Sequence, residues 1–208
     1  MTSGITSVVA GTSGLMLTVL GVYLTIHYAR QARKFHARLR RFSWEDCCLG
    51  VRELARRVSK SKSVPGGILA LSPRGAVIGH LLLLEFGRPE IPMYVAVNFL
   101  NDSPGKAFPE PPAGDWIVAE TNRSQVLIPK GVLMLDAKRL LVVDDWALSG
   151  DMMHTVRQLL LSSGIEESRL TTCTLAATDG AIRNGKAPNH FIWTVDAHDT
   201  YFPWGSAR

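Results

Sequence analysis

Two adjacent carboxylates, Asp144 and Asp145, close the aliphatic run Leu140-Leu141-Val142-Val143. Ser149-Gly150 follows, and then Val156, Leu159 and Leu160 return at helical spacing. A continuous apolar run suits a parallel strand buried on both faces, and Gly164 suits the stop of the helix. In open α/β sheets ligands bind where strands end and helices begin, because N–H groups at a helix N-terminus hold phosphate. Two carboxylates beside a phosphate cradle would repel a bare polyanion. The expected ligand therefore also offers hydroxyls or a Mg²⁺ ion.

The remaining elements must position that turn. The stretch from Trp44, with Leu49, Leu54 and Val58, fits a helix. "GGILALS" (Gly66 to Ser72) reads as a buried strand, "AVIGHLLLLEFG" as a helix closed by Gly87, and "IPMYVAV" (Ile91 to Val97) as another buried strand. Alternating strands and helices mean βαβ units and a parallel sheet. Asn98 to Gly114, with four prolines, reads as a long loop or flap. "DWIVAE" and "QVLIPKGVLML" follow as short antiparallel strands. A strand over 140–144, a helix over 151–163 and a strand over 169–176 complete the α/β pattern.

The 208-residue chain carries a net charge of +5, and the excess is local. Residues 30–41 hold Arg30, Arg33, Lys34, Arg38, Arg40 and Arg41, and the first 41 residues contain no acid, leaving 17 basic and 18 acidic groups in residues 42–208. A nucleic-acid partner, whose affinity rests on phosphate contacts, is not expected of that balance. Cys47, Cys48 and Cys173 form neither a disulfide framework nor zinc spacing, which fits reduced thiols. His80, His154, His190 and His198 lack ligand spacing.

Ile5 to Tyr28 is 24 residues without a formal charge, long enough for a hydrocarbon core of roughly 30 Å. Positive residues follow it rather than precede it, so the expectation is a retained single-pass transmembrane helix (residues 1–29), not a cleaved signal peptide. The basic linker 30–41 would lie against anionic headgroups of the membrane lipid, with the domain over 42–208 on the cytoplasmic side. Ser7, Gly14 and Gly21 make a stripe that permits close helix approach and so a homo-oligomer.

The apolar strand, acid pair and Ser-Gly turn over Leu140 to Met152 resemble the phosphoribosyl pyrophosphate (PRPP) signature of type I phosphoribosyltransferases. Receiver domains also contain "VVDD", but only 63 residues follow Asp145, too few for that fold. "ILALSPRGAVIGHLL" is similar to the family's pyrophosphate loop. "APNHFIWTVDAHDTYFPWG" is similar to the C-terminal region of the bacterial xanthine-guanine subgroup. The resemblance implies a parallel sheet flanked by helices, with a flap made of 98–114 and its flanking strands, and a small hood. It implies that Asp144 and Asp145 hold the ribose hydroxyls and Mg²⁺ and stabilise an oxocarbenium-like sugar. Ala147, Leu148, Ser149, Gly150, Asp151 and Met152 would hold the 5′-phosphate, Ser72, Pro73, Arg74 and Gly75 the pyrophosphate, and Tyr201 and Trp204 the base.

The match departs from the family at nameable atoms. Met152 stands where a Thr or Ser hydroxyl is usual, Asp151 adds a negative charge inside the phosphate turn, and Leu148 replaces an Asp used by purine-specific members. Ala177 or Thr178 stands where those members place a Lys. The reading is a membrane-anchored enzyme transferring phosphoribose from Mg-PRPP to, or back from, an unidentified nucleobase. The alternative is a PRPP- or nucleotide-binding sensor, regulator or effector.

Overall fold

The computed structural model describes residues 22–26, 40–61, 64–101, 107–121, 123–135, 139–196 and 200–206. The chain divides into two compact units, Met1–Arg40 and Arg41–Arg208. In the first, residues 22–26 are helical with exposed side chains. The expected transmembrane helix and basic linker otherwise lie outside the described residues, apart from 40–41. Among the described residues, no helix is long and apolar enough to cross a membrane.

The second unit is built on a five-stranded parallel sheet. Its strands are β2 (Gly67–Ala70), β3 (Met93–Val95), β7 (Leu140–Ala147), β8 (Leu170–Thr178) and β9 (Trp193–Val195), in the order β3-β2-β7-β8-β9. The remaining strands are β1 (Arg40–Arg41), β4 (Val97–Leu100), β5 (Trp116–Glu120), β6 (Ser124–Pro129), β10 (Thr200–Phe202) and β11 (Gly205–Ser206). Strands β4, β6 and β5 form a separate antiparallel sheet, and β10 and β11 form a hairpin whose Tyr201 carbonyl accepts the Phe42 N–H.

Alternating side chains sort the layers, as the period of two in a strand requires. Ile68, Leu141, Val143 and Leu175 join the core under α1 (Trp44–Ser61) and α2 (Pro73–Phe86). Leu69, Leu71, Leu140 and Val142 join the core on the other face, under α3 (Asp151–Ser162) and the antiparallel sheet. Leu54, Ile78, Leu82 and Leu160 are fully buried, each stabilising the fold by about 1.5–3 kcal/mol. A reciprocal cap starts α1: Asp46 accepts the Ser43 N–H at 2.8 Å and the Ser43 hydroxyl accepts the Asp46 N–H at 3.1 Å. A short helix, α4 (Asp179–Arg183), follows β8.

Four sequence expectations need correction. Leu49 does not face the core but is 54% exposed; Cys47, Val51 and Leu54 form the apolar face of α1 instead. The stretch 91–97 is not one buried strand. β3 ends at Val95, the buried Ala96 donates to the Ala70 carbonyl at 2.8 Å, and Val97 already pairs with Leu127 in the other sheet. β2 stops at Ala70 and offers β3 no further partner, so one extended segment serves two sheets. The strand over 140–144 runs on to Ala147, which places Asp145 as well as Asp144 inside the strand. Finally, Pro73, Arg74 and Gly75 form the first turn of α2, not a loop.

Candidate active site

β2 and β7 are adjacent and parallel, yet α2 and α3 leave them toward opposite faces of the sheet. That divergence opens a crevice at the carboxyl ends of the two strands, where ligands of open α/β sheets bind. Ser72 and Asp144 meet there. The Ser72 hydroxyl donates to Asp144 Oδ1 at 2.6 Å and accepts the Gly75 N–H at 2.9 Å, so it caps α2 and ties it to β7. Pro73 at the first helical position fits the cap, since its missing N–H would have had no intrahelical partner. Gly75 is required by this closeness: a Cβ there would stand 2.8 Å from the Val143 carbonyl oxygen and 3.1 Å from Asp144 Cα.

Both carboxylates are buried and held by donors. Asp144 Oδ1 also accepts the Asp145 N–H at 3.0 Å. Asp145 Oδ1 accepts the Trp146 N–H at 3.0 Å, and its Oδ2 accepts the Trp204 indole N–H at 3.0 Å. Burial pushes the Asp144 carboxyl above the usual carboxylate range, and the neighbouring Asp145 charge pushes it further; the Ser72 hydroxyl pulls it back in part. Asp145 is also raised by burial, opposed by the Trp204 N–H and the Arg74 guanidinium. Such perturbed pairs cluster in functional clefts.

The turn after β7 is short, because Ala147 ends the strand and Asp151 begins α3. Leu148 is 45% exposed, and its carbonyl accepts the Thr178 hydroxyl. The Ser149 hydroxyl accepts the Asp151 N–H at 3.3 Å. Gly150 has φ +76°, and a Cβ there would lie 2.2 Å from the Lys186 carbonyl oxygen. Its freedom thus serves a neighbouring chain segment as well as the turn. Asp151 is paired with the Lys186 ammonium, which lowers its carboxyl. Met152 turns its sulfur toward the Asn98 amide at 3.0 Å and packs against the core beneath the antiparallel sheet.

Most of the expected residues therefore share one crevice, with differences in detail. Trp204 reaches Asp145 directly, and its ring lies on Phe202, with centroids 5.1 Å apart and 5° between planes. Tyr201 lies on β10 opposite Ser206. The sequence signals neither Lys186 nor Asn98: "NGKAP" carries only a loop signal, and Asn98, expected to begin the loop over 98–114, lies inside β4 and pairs with Val126. Among the described residues no group of three or more His, Cys, Asp or Glu could hold a metal ion. A cavity lined by Val132, Leu135, Leu140, Ile165 and Arg169 lies at the opposite end of β7.

No protein-family model and no curated protein matches the chain. Solved structures do. Purine phosphoribosyltransferase from Pyrococcus horikoshii aligns with a TM-score of 0.56 at 18% identity, covering 81% of this chain and 95% of that one. A hypothetical protein from Neisseria gonorrhoeae with bound ppGpp aligns at 0.58 and 18%, covering 81% and 91%. Helicobacter pylori xanthine-guanine-hypoxanthine phosphoribosyltransferase aligns at 0.54 and 17%, covering 79% and 92%. These likenesses show the fold, a mostly parallel α/β sheet of the type I phosphoribosyltransferase kind.

Proposed function

We propose that the chain binds Mg-PRPP in the crevice between β2 and β7 and transfers its phosphoribosyl group to, or back from, a nucleobase of purine type. The observation that carries this reading is the convergence of Ser72, Arg74, Asp144 and Asp145 at the divergence point of the sheet, one short turn from the N-terminus of α3. In it Asp144 and Asp145 take the ribose hydroxyls and stabilise the cationic sugar. Arg74 and the first turn of α2 receive the departing pyrophosphate, the former as a charge-assisted donor. The N–H groups over 148–152 hold the 5′-phosphate. Of the four carboxylate oxygens, three already accept protein donors, so the pair fits Mg²⁺ only as part of a shell completed by substrate and water. Mg²⁺ would offset charge on the pyrophosphate.

Residues 1–29 are proposed to anchor the domain in a membrane with 42–208 on the cytoplasmic side, on the strength of the positive charge that follows the apolar run. A reporter fused after Arg208 tests this: activity confined to an external, oxidising compartment would contradict it.

A second reading has its own support. The Neisseria gonorrhoeae structure of this fold carries ppGpp, and Leu148 and Met152 depart from the enzyme pattern. In that reading the crevice binds a nucleotide without turnover. Pyrophosphate release from Mg-PRPP against a panel of nucleobases separates the two. Release with at least one base supports transfer; saturable binding of PRPP or ppGpp with no release supports the nucleotide module.

A further inference from the structure

The C-terminal hairpin enters the crevice through one atom. Trp204, just after β10, directs its indole N–H at Asp145 Oδ2 across 3.0 Å. Oδ1 of the same carboxylate is held by the N–H of Trp146 in its own strand, whereas the indole reaches Oδ2 from outside β7. The direction of that N–H is fixed by packing. Trp204 stacks on Phe202, Phe202 lies 5.2 Å from Phe42 at 16°, and Phe42 lies 4.2 Å from Trp193 at 26°. Trp44 meets Trp204 edge-on at 5.5 Å and 62°. Aromatic pairs of this kind are rigid and contribute beyond their buried area. The stack therefore joins the start of the domain, strand β9 and the terminal hairpin to a single carboxylate.

We propose that Trp204 is a positioning residue for Asp145: through its indole N–H, held in place by the aromatic stack, it fixes the orientation of the carboxylate that meets the ligand. The role in ligand binding rests on the phosphoribosyl reading above; the orientation of Asp145 does not. A base-stacking role alone would use the ring and leave the N–H idle. A positioning role makes the N–H necessary even when no base is present. The groups facing Asp145 are Asp144 from its own strand, Arg74 from the first turn of α2, and the Cys47 thiol from α1. Beside these charged and titratable groups, Trp204 supplies a neutral donor to Asp145 Oδ2.

Two measurements on the full chain test this. In the first, indole N–H resonances are compared by NMR at a single pH, with the Trp204 signal assigned by its loss in Trp204→Phe. The inference expects the Trp204 N–H to be protected from solvent exchange in the wild type, and to shift upfield and exchange faster in folded Asp145→Ala. A Trp204 N–H that exchanges freely in the wild type, or that is unchanged in Asp145→Ala, overturns the inference without reference to PRPP. In the second, Mg-PRPP is titrated in the absence of any base. Trp204→Phe keeps an aromatic ring but loses the donor, and is expected to weaken binding about tenfold at neutral pH, as for one lost hydrogen bond to a charged group. Unchanged affinity in folded Trp204→Phe overturns the positioning role. If the wild type binds no PRPP while the Trp204 N–H behaves as expected, the phosphoribosyl reading fails and the orientation of Asp145 by Trp204 stands.

Discussion

The Ser72 hydroxyl donates to Asp144 across 2.6 Å, joining the end of β2 to the interior of β7. This contact places the helix cap of α2 and the acidic pair in one hydrogen-bonded unit. Several consequences are measurable.

Asp144 is expected to lower stability at neutral pH. Its carboxyl is raised in the folded protein, first by burial and then by Asp145. Above the unfolded value near 3.9, the folded state therefore binds more protons than the unfolded one, and stability falls as pH rises. This is the reverse of an ordinary paired aspartate. Asp144→Asn keeps an acceptor for the Ser72 hydroxyl and the Asp145 N–H, and should raise stability at pH 7 by about 0.5–2 kcal/mol. Denaturant melts at pH 5 and pH 8 check the sign: a variant less stable than wild type at pH 8 would refute it.

Gly75 and Gly150 should resist substitution for different reasons. At Gly75 a methyl group meets backbone atoms of β7, and Gly75→Ala should cost about 1–3 kcal/mol by overpacking. At Gly150 the positive φ adds strain to a collision with the Lys186 carbonyl, so Gly150→Ala should cost more than Gly75→Ala. Equal or smaller loss at Gly150 in thermal unfolding would show that the 184–187 segment yields.

Lys186 should matter to phosphate binding through Asp151. The pair is partly exposed, with side-chain accessibilities of 37% and 47%, so its contribution to stability is small. Its contribution to the charge of the turn is not. Lys186→Met leaves Asp151 uncompensated and is expected to weaken Mg-PRPP binding several-fold, while adding Asp151→Asn restores most of it. Additive losses in the double variant, measured by titration, would mean that the two residues act separately.

The sequence made the β7–α3 unit legible because an aliphatic run, an acid pair and a helical period are each local signals. Ser72 and Arg74 were legible for the same reason, through a strand followed by Pro-Arg-Gly. The extension of β7 to Ala147 was hidden, since two aspartates normally mark a strand's end; pairing with β8, Asp144 opposite Thr174 and Ala147 opposite Ala177, carries the strand past them. The split of 91–97 between two sheets was hidden because both halves are equally apolar. The Trp204–Asp145 and Lys186–Asp151 contacts join residues 59 and 35 positions apart. No periodicity reports such pairs. Met152 offers no hydroxyl donor, as the sequence shows, and its side chain also fills space between Asn98 and the core, which no sequence signal announces, so Met152→Thr should cost packing.

Mg²⁺ should not bind alone. With Asp144 Oδ1 accepting two protein donors and each Asp145 oxygen accepting one, two carboxylates supply only part of a six-coordinate shell, so Mg²⁺ without PRPP should give no saturable heat by calorimetry. Tight binding of the bare ion would show a protein-built metal site.

The central claim is that the acidic pair at the β2–β7 crevice receives Mg-PRPP. Calorimetric titration of the full chain with Mg-PRPP, comparing wild type with Asp144→Asn/Asp145→Asn, tests it most directly. Each charge-assisted hydrogen bond contributes about 1.5–3 kcal/mol, so the account predicts saturable, Mg²⁺-dependent binding by the wild type and a loss of at least about tenfold in a folded double variant. Undiminished affinity in that variant, or no binding by the wild type, would contradict it.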